Sequence, residues 1–275
     1  MAIALHGVGV SFGPVEAARD ISLAIPSGEF VSLLGPSGCG KSTLLSVVAG
    51  LETASQGSVT VTGQAGMVFQ EAALFPWRTL IGNVAFGLEM RGDRRLSKSE
   101  RLARAADALR LVHLSRFADS YPHQLSGGMR QRAALARALV LDPDILLMDE
   151  PFGALDAQTR SLLQAELLTI WERTRKTVLF VTHSLDEALF LSDRIVLLSA
   201  RPGRVVGDYW IDAPRPRDPR TDAALAALRS RLLAQLSHEI ETVARAEHDT
   251  DWHAETDAPR VPPPPPVLEN VGADI

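Results

Sequence analysis

A chain of 275 residues that is 46% hydrophobic and 22% charged has the length for one large domain or two small ones and the composition of an ordinary globular protein. No apolar run approaches the roughly 20 residues needed to cross a bilayer, and the N-terminal Met1-Ala2-Ile3-Ala4-Leu5-His6 lacks a secretory leader's basic region and cleavage pattern, so a membrane role is expected to come through a partner. The formal net charge of −5 is uneven: residues 241–275 hold eight acidic and two basic side chains, leaving a nearly neutral body with no basic field to favour nucleic acid.

In chain order, residues 8–12 and 21–25 alternate as strands with one wet face do. Residues 30–34 form an apolar run that reads as a buried parallel strand. Gly35-Pro36-Ser37-Gly38-Cys39-Gly40-Lys41-Ser42-Thr43 follows and fits G-x-x-x-x-G-K-[ST]. A helix over 42–49 comes next and stops at Gly50. Strand, glycine loop and helix is the context in which successive backbone N–H groups and a helix N-terminus converge on a phosphate. Lys41 is expected to reach the β- and γ-phosphates, and the Ser42 hydroxyl to ligate Mg²⁺. Lysine is scarce, at Lys41, Lys98 and Lys176 alone, so its presence here is not compositional drift. Cys39, the sole cysteine, excludes an internal disulfide and fits a reducing compartment. A helix N-terminus lowers a thiol pKa, which leaves redox sensing open beside the plainer reading of a small residue in a tolerant position.

Residues 59–62 and 67–69 read as short strands, and 97–111 as a helix. Ser126 caps another helix, which runs to 140 and breaks at Asp142-Pro143. Gly127 and Gly128 behind that serine expose unpaired N–H groups, a second anion site. One nucleotide seldom needs both sites from one subunit, so two copies arranged head to tail are expected, each ATP lying between Lys41 of one and Ser126 of the other. Residues 144–148, 178–181 and 195–198 are apolar strands, separated by helices at 157–174 and 184–191, a pattern that gives a parallel sheet covered on both faces. Asp149 and Glu150 fall at the carboxyl end of the first of these, where open α/β sheets place their ligands. Residues 201–204 and 213–220 read as loops and 221–244 as an amphipathic helix. The tail 249–275, acidic with five consecutive prolines, is expected to be disordered, either solvated or a docking ligand.

Taken together, these motifs resemble the ATP-binding cassette (ABC) family over about residues 1–210. Gly35 to Thr43 matches the phosphate loop, Gln70 the glutamine loop and Leu125-Ser126-Gly127-Gly128 the signature. Asp149-Glu150 matches the acidic strand end, Ala154-Leu155-Asp156 the D-loop and His183 the switch histidine. The resemblance implies an α/β P-loop NTPase with a mostly parallel core sheet, an N-terminal antiparallel β subdomain and an inserted helical signature subdomain at about 79–140. A loop and helix extension would follow at 211–248. It implies Asp149, Ser42 and Gln70 on Mg²⁺, Glu150 as the base that polarises the attacking water, and His183 on the γ-phosphate. Leu125, Ser126, Gly127, Gly128 and Asp156 would act on the partner's nucleotide. Phe12 would stack on adenine, with core packing as its competing reading. Met129 departs from the glutamine common at its position, and the short stretch between Gly63 and Met67 is read as a trimmed hairpin.

Residues 70–78, 83–88, 151–156 and 198–204, with 214–217, look like the ATPase subunits of nitrate, sulfonate and taurine importers. That likeness implies a homodimer on the cytoplasmic face of the membrane, working with permease subunits and an extracytoplasmic solute-binding protein. Phe75 and Trp77 would meet the permease. The competing class is a soluble cassette ATPase of DNA repair or translation. Repair relatives insert a long coiled coil between phosphate loop and signature, whereas Lys41 and Ser126 are only about 85 residues apart with no sustained heptads. Translation relatives carry two cassettes in one chain. The sequence does not name the solute, since solute choice lies in the partners.

Overall fold

In the computed structural model, residues 1–90, 96–153, 155–215, 217 and 222–247 are described. Among them, strands β1 (Ile3–Phe12), β2 (Val15–Ile25) and β4 (Gln56–Val61) form an antiparallel sheet in the order β2-β1-β4. A second sheet contains β3 (Phe30–Leu34), β5 (Ala65–Val68), β6 (Ile145–Asp149), β7 (Thr177–Thr182), β8 (Arg194–Leu198) and β9 (Val205–Trp210). Its order is β5-β6-β7-β3-β8-β9, parallel except for the antiparallel edge pair β8·β9. Every residue of β3 and β7 is buried, which is why these strands read as unbroken apolar runs.

The stretch between Gly63 and Met67 is not a trimmed hairpin. β4 pairs with β1 in the antiparallel sheet and β5 with β6 in the parallel one, so the chain crosses there from one sheet to the other. Helix α1 (Lys41–Val48) fills the space between the sheets with Leu44, Leu45, Val47 and Val48. Helices α2 (Leu80–Met90), α3 (Lys98–Leu111) and α4 (Gly127–Leu139) pack together and onto α5 (Ala157–Thr174) across the opposite face of the parallel sheet. Helix α3 begins at a complete capping box between Ser97 and Glu100. On that face, Phe30 meets Trp171 edge-on and Phe180 at a tilt, both with ring centres 5.9 Å apart. Helix α6 (Leu185–Leu191) and the long α7 (Ala223–Glu247) share a third apolar cluster through Leu189, Leu225, Leu232 and Leu236. The expected disordered tail at 249–275 and Ala154 of the D-loop lie outside the described residues.

Candidate functional site

The carboxyl ends of β3, β6 and β7 are adjacent in the sheet, and each delivers one part of the site. After β3 the chain turns through Gly38 (φ 74°) and Gly40 (φ 94°), left-handed positions that glycine takes without a steric penalty. Gly40 caps α1 with no side-chain bond, so the first N–H groups of the helix are left for a ligand. Gly35, Pro36 and Cys39 face the interior while Ser37 and Gly38 face out. Burial pushes the Cys39 thiol above its ordinary pKa against the pull of Lys41, which favours the plain small-residue reading. Lys41 is only 4% exposed, and its ammonium group donates to Gly35 O at 2.9 Å and Pro36 O at 2.8 Å. The lysine thereby holds the loop closed from inside.

At the end of β6, Asp149 Oδ1 accepts a 2.8 Å hydrogen bond from the Ser42 hydroxyl, tying the loop helix to the acidic strand end. Burial raises the Asp149 carboxyl above its ordinary range, and nearby Glu150 adds to this, while the Ser42 bond opposes it. Glu150 sits at φ 39°, a left-handed conformation unusual for a side-chain-bearing residue, held by its N–H bond to Val181 O at 3.0 Å. After β7, His183 Nδ1 donates to Glu150 Oε2 at 2.9 Å. Gln70 leaves β5 in a loop gripped by α4: Gln131 donates to Phe69 O at 3.0 Å, and Arg137 to Ala73 O at 2.6 Å and Ala72 O at 2.9 Å. Burial pulls the Arg137 guanidinium below its ordinary pKa.

Phe12, Ser37, Gly38, Gly40, Lys41, Ser42, Thr43, Gln70 and Glu150 line one open groove of about 530 Å³, with Val15, Ala17 and Arg201. Asp149 joins it through Ser42 and His183 through Glu150. Phe12 is 47% exposed, so it is not core; it lines the groove from the hairpin between β1 and β2. The other expected residues stand apart. Ser126 caps α4, its Oγ accepting from Met129 N at 3.2 Å, and Asp156 caps α5, accepting from Gln158 N and Thr159 N at 3.1 and 3.0 Å. Neither Leu125, Ser126, Gly127, Gly128 nor Asp156 lines the groove. Ser126, Gly127 and Asp156 are exposed instead, with Leu125 and Gly128 buried behind them. Gly128 is required by packing, since a Cβ there would stand 2.5 Å from Thr159 Cγ2. Val15, Ala17 and Arg201 were not among the expected groove residues; Arg201 lies far along the chain in a breaker-rich loop, and no local pattern ties it to the phosphate loop.

A glycine loop with a buried lysine, an acidic strand end and a histidine after the next strand define a P-loop ATPase. Comparison with known proteins narrows the class. The ABC transporter family profile matches residues 18–153. The taurine import ATP-binding protein TauB of Rhizobium johnstonii is 47% identical over 243 residues, 86% of this chain and 91% of the relative. The aliphatic sulfonates import ATP-binding protein SsuB of Bacillus thuringiensis is 43% identical over 234 residues, 82% of this chain and 90% of the relative. Among solved structures, a dimeric ATP-binding cassette, MJ0796, in a post-hydrolysis state with ADP and Pi superposes with a TM-score of 0.69. It is 34% identical, and the match covers 77% of this chain and 100% of that one. The chain belongs to the ABC transporter family, among its ATP-hydrolysing subunits. No helix among the described residues is long and apolar enough to cross a membrane.

Proposed function

We propose that this chain energises the import of a small sulfonate-like or related anion, taurine and nitrate included, by hydrolysing ATP as one of a pair of peripheral subunits bound to a membrane permease. The observation that carries the ATPase part is the groove, which gathers an exposed aromatic ring, a phosphate loop and the Glu150–His183 pair on one surface. Its separation from Ser126 and Asp156 supports a composite site. Phe12 takes the adenine face, and the N–H groups of residues 38–43 with Lys41 take the phosphates, Lys41 exchanging loop carbonyls for phosphate oxygens. Ser42 and Asp149 offer two hard oxygen donors side by side, a set that suits a Mg²⁺ ion shared with phosphates and water, with Gln70 as a further ligand. Bound there, Mg²⁺ would neutralise the charge that develops on the β- and γ-oxygens. Glu150 draws a proton from the attacking water, and His183, held by the Glu150 carboxylate, orients the γ-phosphate. A second copy supplies Leu125, Ser126, Gly127, Gly128 and Asp156 to each nucleotide, and the Ser126 cap presents its free N–H groups to the γ-phosphate.

The importer part rests on the relatives, whose names assign them taurine and aliphatic sulfonate import. In an importer of this kind an extracytoplasmic binding protein supplies the solute. The permease contact falls to Phe75 and Trp77; Trp77 is 72% exposed, its ring centre 5.5 Å from that of Phe75, beside the loop that carries Gln70. The test is growth of a deletion strain with taurine or an alkanesulfonate as sole sulfur source and, separately, nitrate as sole nitrogen source. A defect in one arm, rescued by wild type and not by Glu150→Gln, supports ATP-driven import of that solute. Normal growth in both arms, with ATPase activity intact in the purified chain, removes the solute assignment.

A further inference from the structure

We infer that Arg201 is a second nucleotide-binding cation in the groove, reaching the phosphate tail beside Gly38. Three observations carry this, and it rests on reading the groove as the ATP site. Arg201 lines the groove beside Phe12, Ser37 and Gly38, its terminal nitrogen 3.8 Å from where a Cβ on Gly38 would stand. Its side chain is exposed and makes no hydrogen bond or ion pair with any described residue. Three arginines elsewhere are held by carboxylates: Arg132 by Glu166, Arg194 by Asp208 and Arg215 by Asp193.

The backbone under Arg201, by contrast, is fixed on both sides. Gly203 donates to Ala17 O at 3.0 Å and accepts from Arg19 N at 2.9 Å, which locks the loop to the hairpin that bears Phe12. Ala200 N donates to Glu239 Oε2 at 2.8 Å, which braces it against α7. A rigid base with an uncommitted head is suited to ligand capture, because binding orders only one side chain. A guanidinium offers a planar fork of donors that matches phosphate oxygens two at a time. Adenine on Phe12 would run the phosphate tail along the loop past Gly38, within the reach of this fork.

The test compares the full-length wild type with Arg201→Ala and Arg201→Lys, titrating ADP and adenosine in the presence of Mg²⁺ at low and high salt. Arg201→Ala is expected to weaken ADP binding about tenfold, more at low salt than at high, with adenosine binding and thermal stability unchanged. Arg201→Lys is expected to recover part of the loss. ADP affinity within twofold of wild type in Arg201→Ala overturns the inference, as does an equal loss for ADP and adenosine, which would mean that Arg201 merely shapes the base end. A wild type that binds no ADP would overturn the reading of the groove itself, and the inference with it.

Discussion

Substituting Gly203 by alanine tests whether the C-terminal part of the chain shapes the phosphate loop. An added Cβ would stand 2.1 Å from Cys39 O and 3.3 Å from Cys39 C, with Ala17 O at 3.6 Å. Ordinary contacts start near 3.4 Å, so the overlap exceeds an ångström, and it is with backbone that has no rotamer to change. Gly203 cannot retreat, because its N–H and C=O are both bonded to the β2 backbone. The phosphate loop must therefore move. The Cys39 carbonyl shares one peptide plane with the Gly40 N–H, so displacing it turns that donor away from a phosphate. Overpacking of this kind costs about 1–3 kcal/mol, offset by about 0.4–1 kcal/mol from the stiffer unfolded chain. The net cost of about 0–2.6 kcal/mol, at about 2–4 °C per kcal/mol for a chain of this size, gives an expected Tm loss of up to about 10 °C. A misdirected hydrogen bond to a charged phosphate, worth about 1.5–3 kcal/mol, lowers Mg·ADP affinity at least tenfold. The assay is calorimetric titration of Mg·ADP beside thermal unfolding without nucleotide. Gly50→Ala is the control: Gly50 has φ 71° with no atom within 4 Å of an added Cβ, so stability falls through left-handed strain while affinity holds. A folded Gly203→Ala chain that binds Mg·ADP as tightly as wild type would refute the reasoning.

Three other perturbations probe separate parts of the molecule. Glu150→Gln is expected to bind ATP normally and to lose turnover by about 10²–10⁴-fold, read by phosphate release; hydrolysis near the wild-type rate would remove Glu150 as the base. Trp77→Ala should leave ATP hydrolysis by the isolated chain unchanged and lower transport by the assembled complex; loss of hydrolysis in the isolated chain would show that the exposed ring serves the site instead. Glu187 is buried, accepting from Thr182 Oγ1 at 2.6 Å and Gln164 Nε2 at 3.2 Å, and burial raises its carboxyl above the ordinary 4.5. The folded chain then holds this proton more tightly than the unfolded chain. Its contribution to stability is full below the unfolded pKa and lost as pH rises through the folded one. Urea unfolding of Glu187→Gln should accordingly improve relative to wild type as pH climbs above 4.5, and a pH-independent difference would contradict the burial argument.

The parallel sheet was legible because its strands are buried on both faces. β3, β6, β7 and β8 read as apolar runs within a residue or two of their observed ends, and α5 was read at its observed bounds. β9 was not, because its residues alternate half-buried and exposed around Gly207 and Asp208 on an edge strand, which looks like loop in isolation. Within the inserted helical segment, α3 was legible through its helical spacing of alanine, leucine and arginine, and α4 through its Ser126 cap. α2 has a cap too, Thr79 Oγ1 accepting from Gly82 N at 3.3 Å, but it packs Leu80, Val84, Ala85 and Leu88 inward around Gly82 and Gly87, and it was not resolved as a helix from sequence. In the site, residues bound to a local motif were readable: a glycine loop on one helix, two acids at one strand end. Arg201, brought to the loop by contacts that span 160 residues or more, was not, nor was the grip of Gln131 and Arg137 on the Gln70 loop. Such placements are decided by tertiary packing and leave no periodic trace.

A composite site, with each nucleotide held between Lys41 of one copy and Ser126 of the other, is tested most directly by the mass in solution of Glu150→Gln with and without Mg·ATP, set beside the double variant Glu150→Gln, Ser126→Arg. The single variant should double its mass when Mg·ATP is added, and the double variant should bind ATP with unchanged affinity yet remain monomeric. Loss of nucleotide binding by the double-variant monomer would place Ser126 at its own chain's nucleotide, and dimerisation indifferent to Ser126→Arg would contradict the composite site.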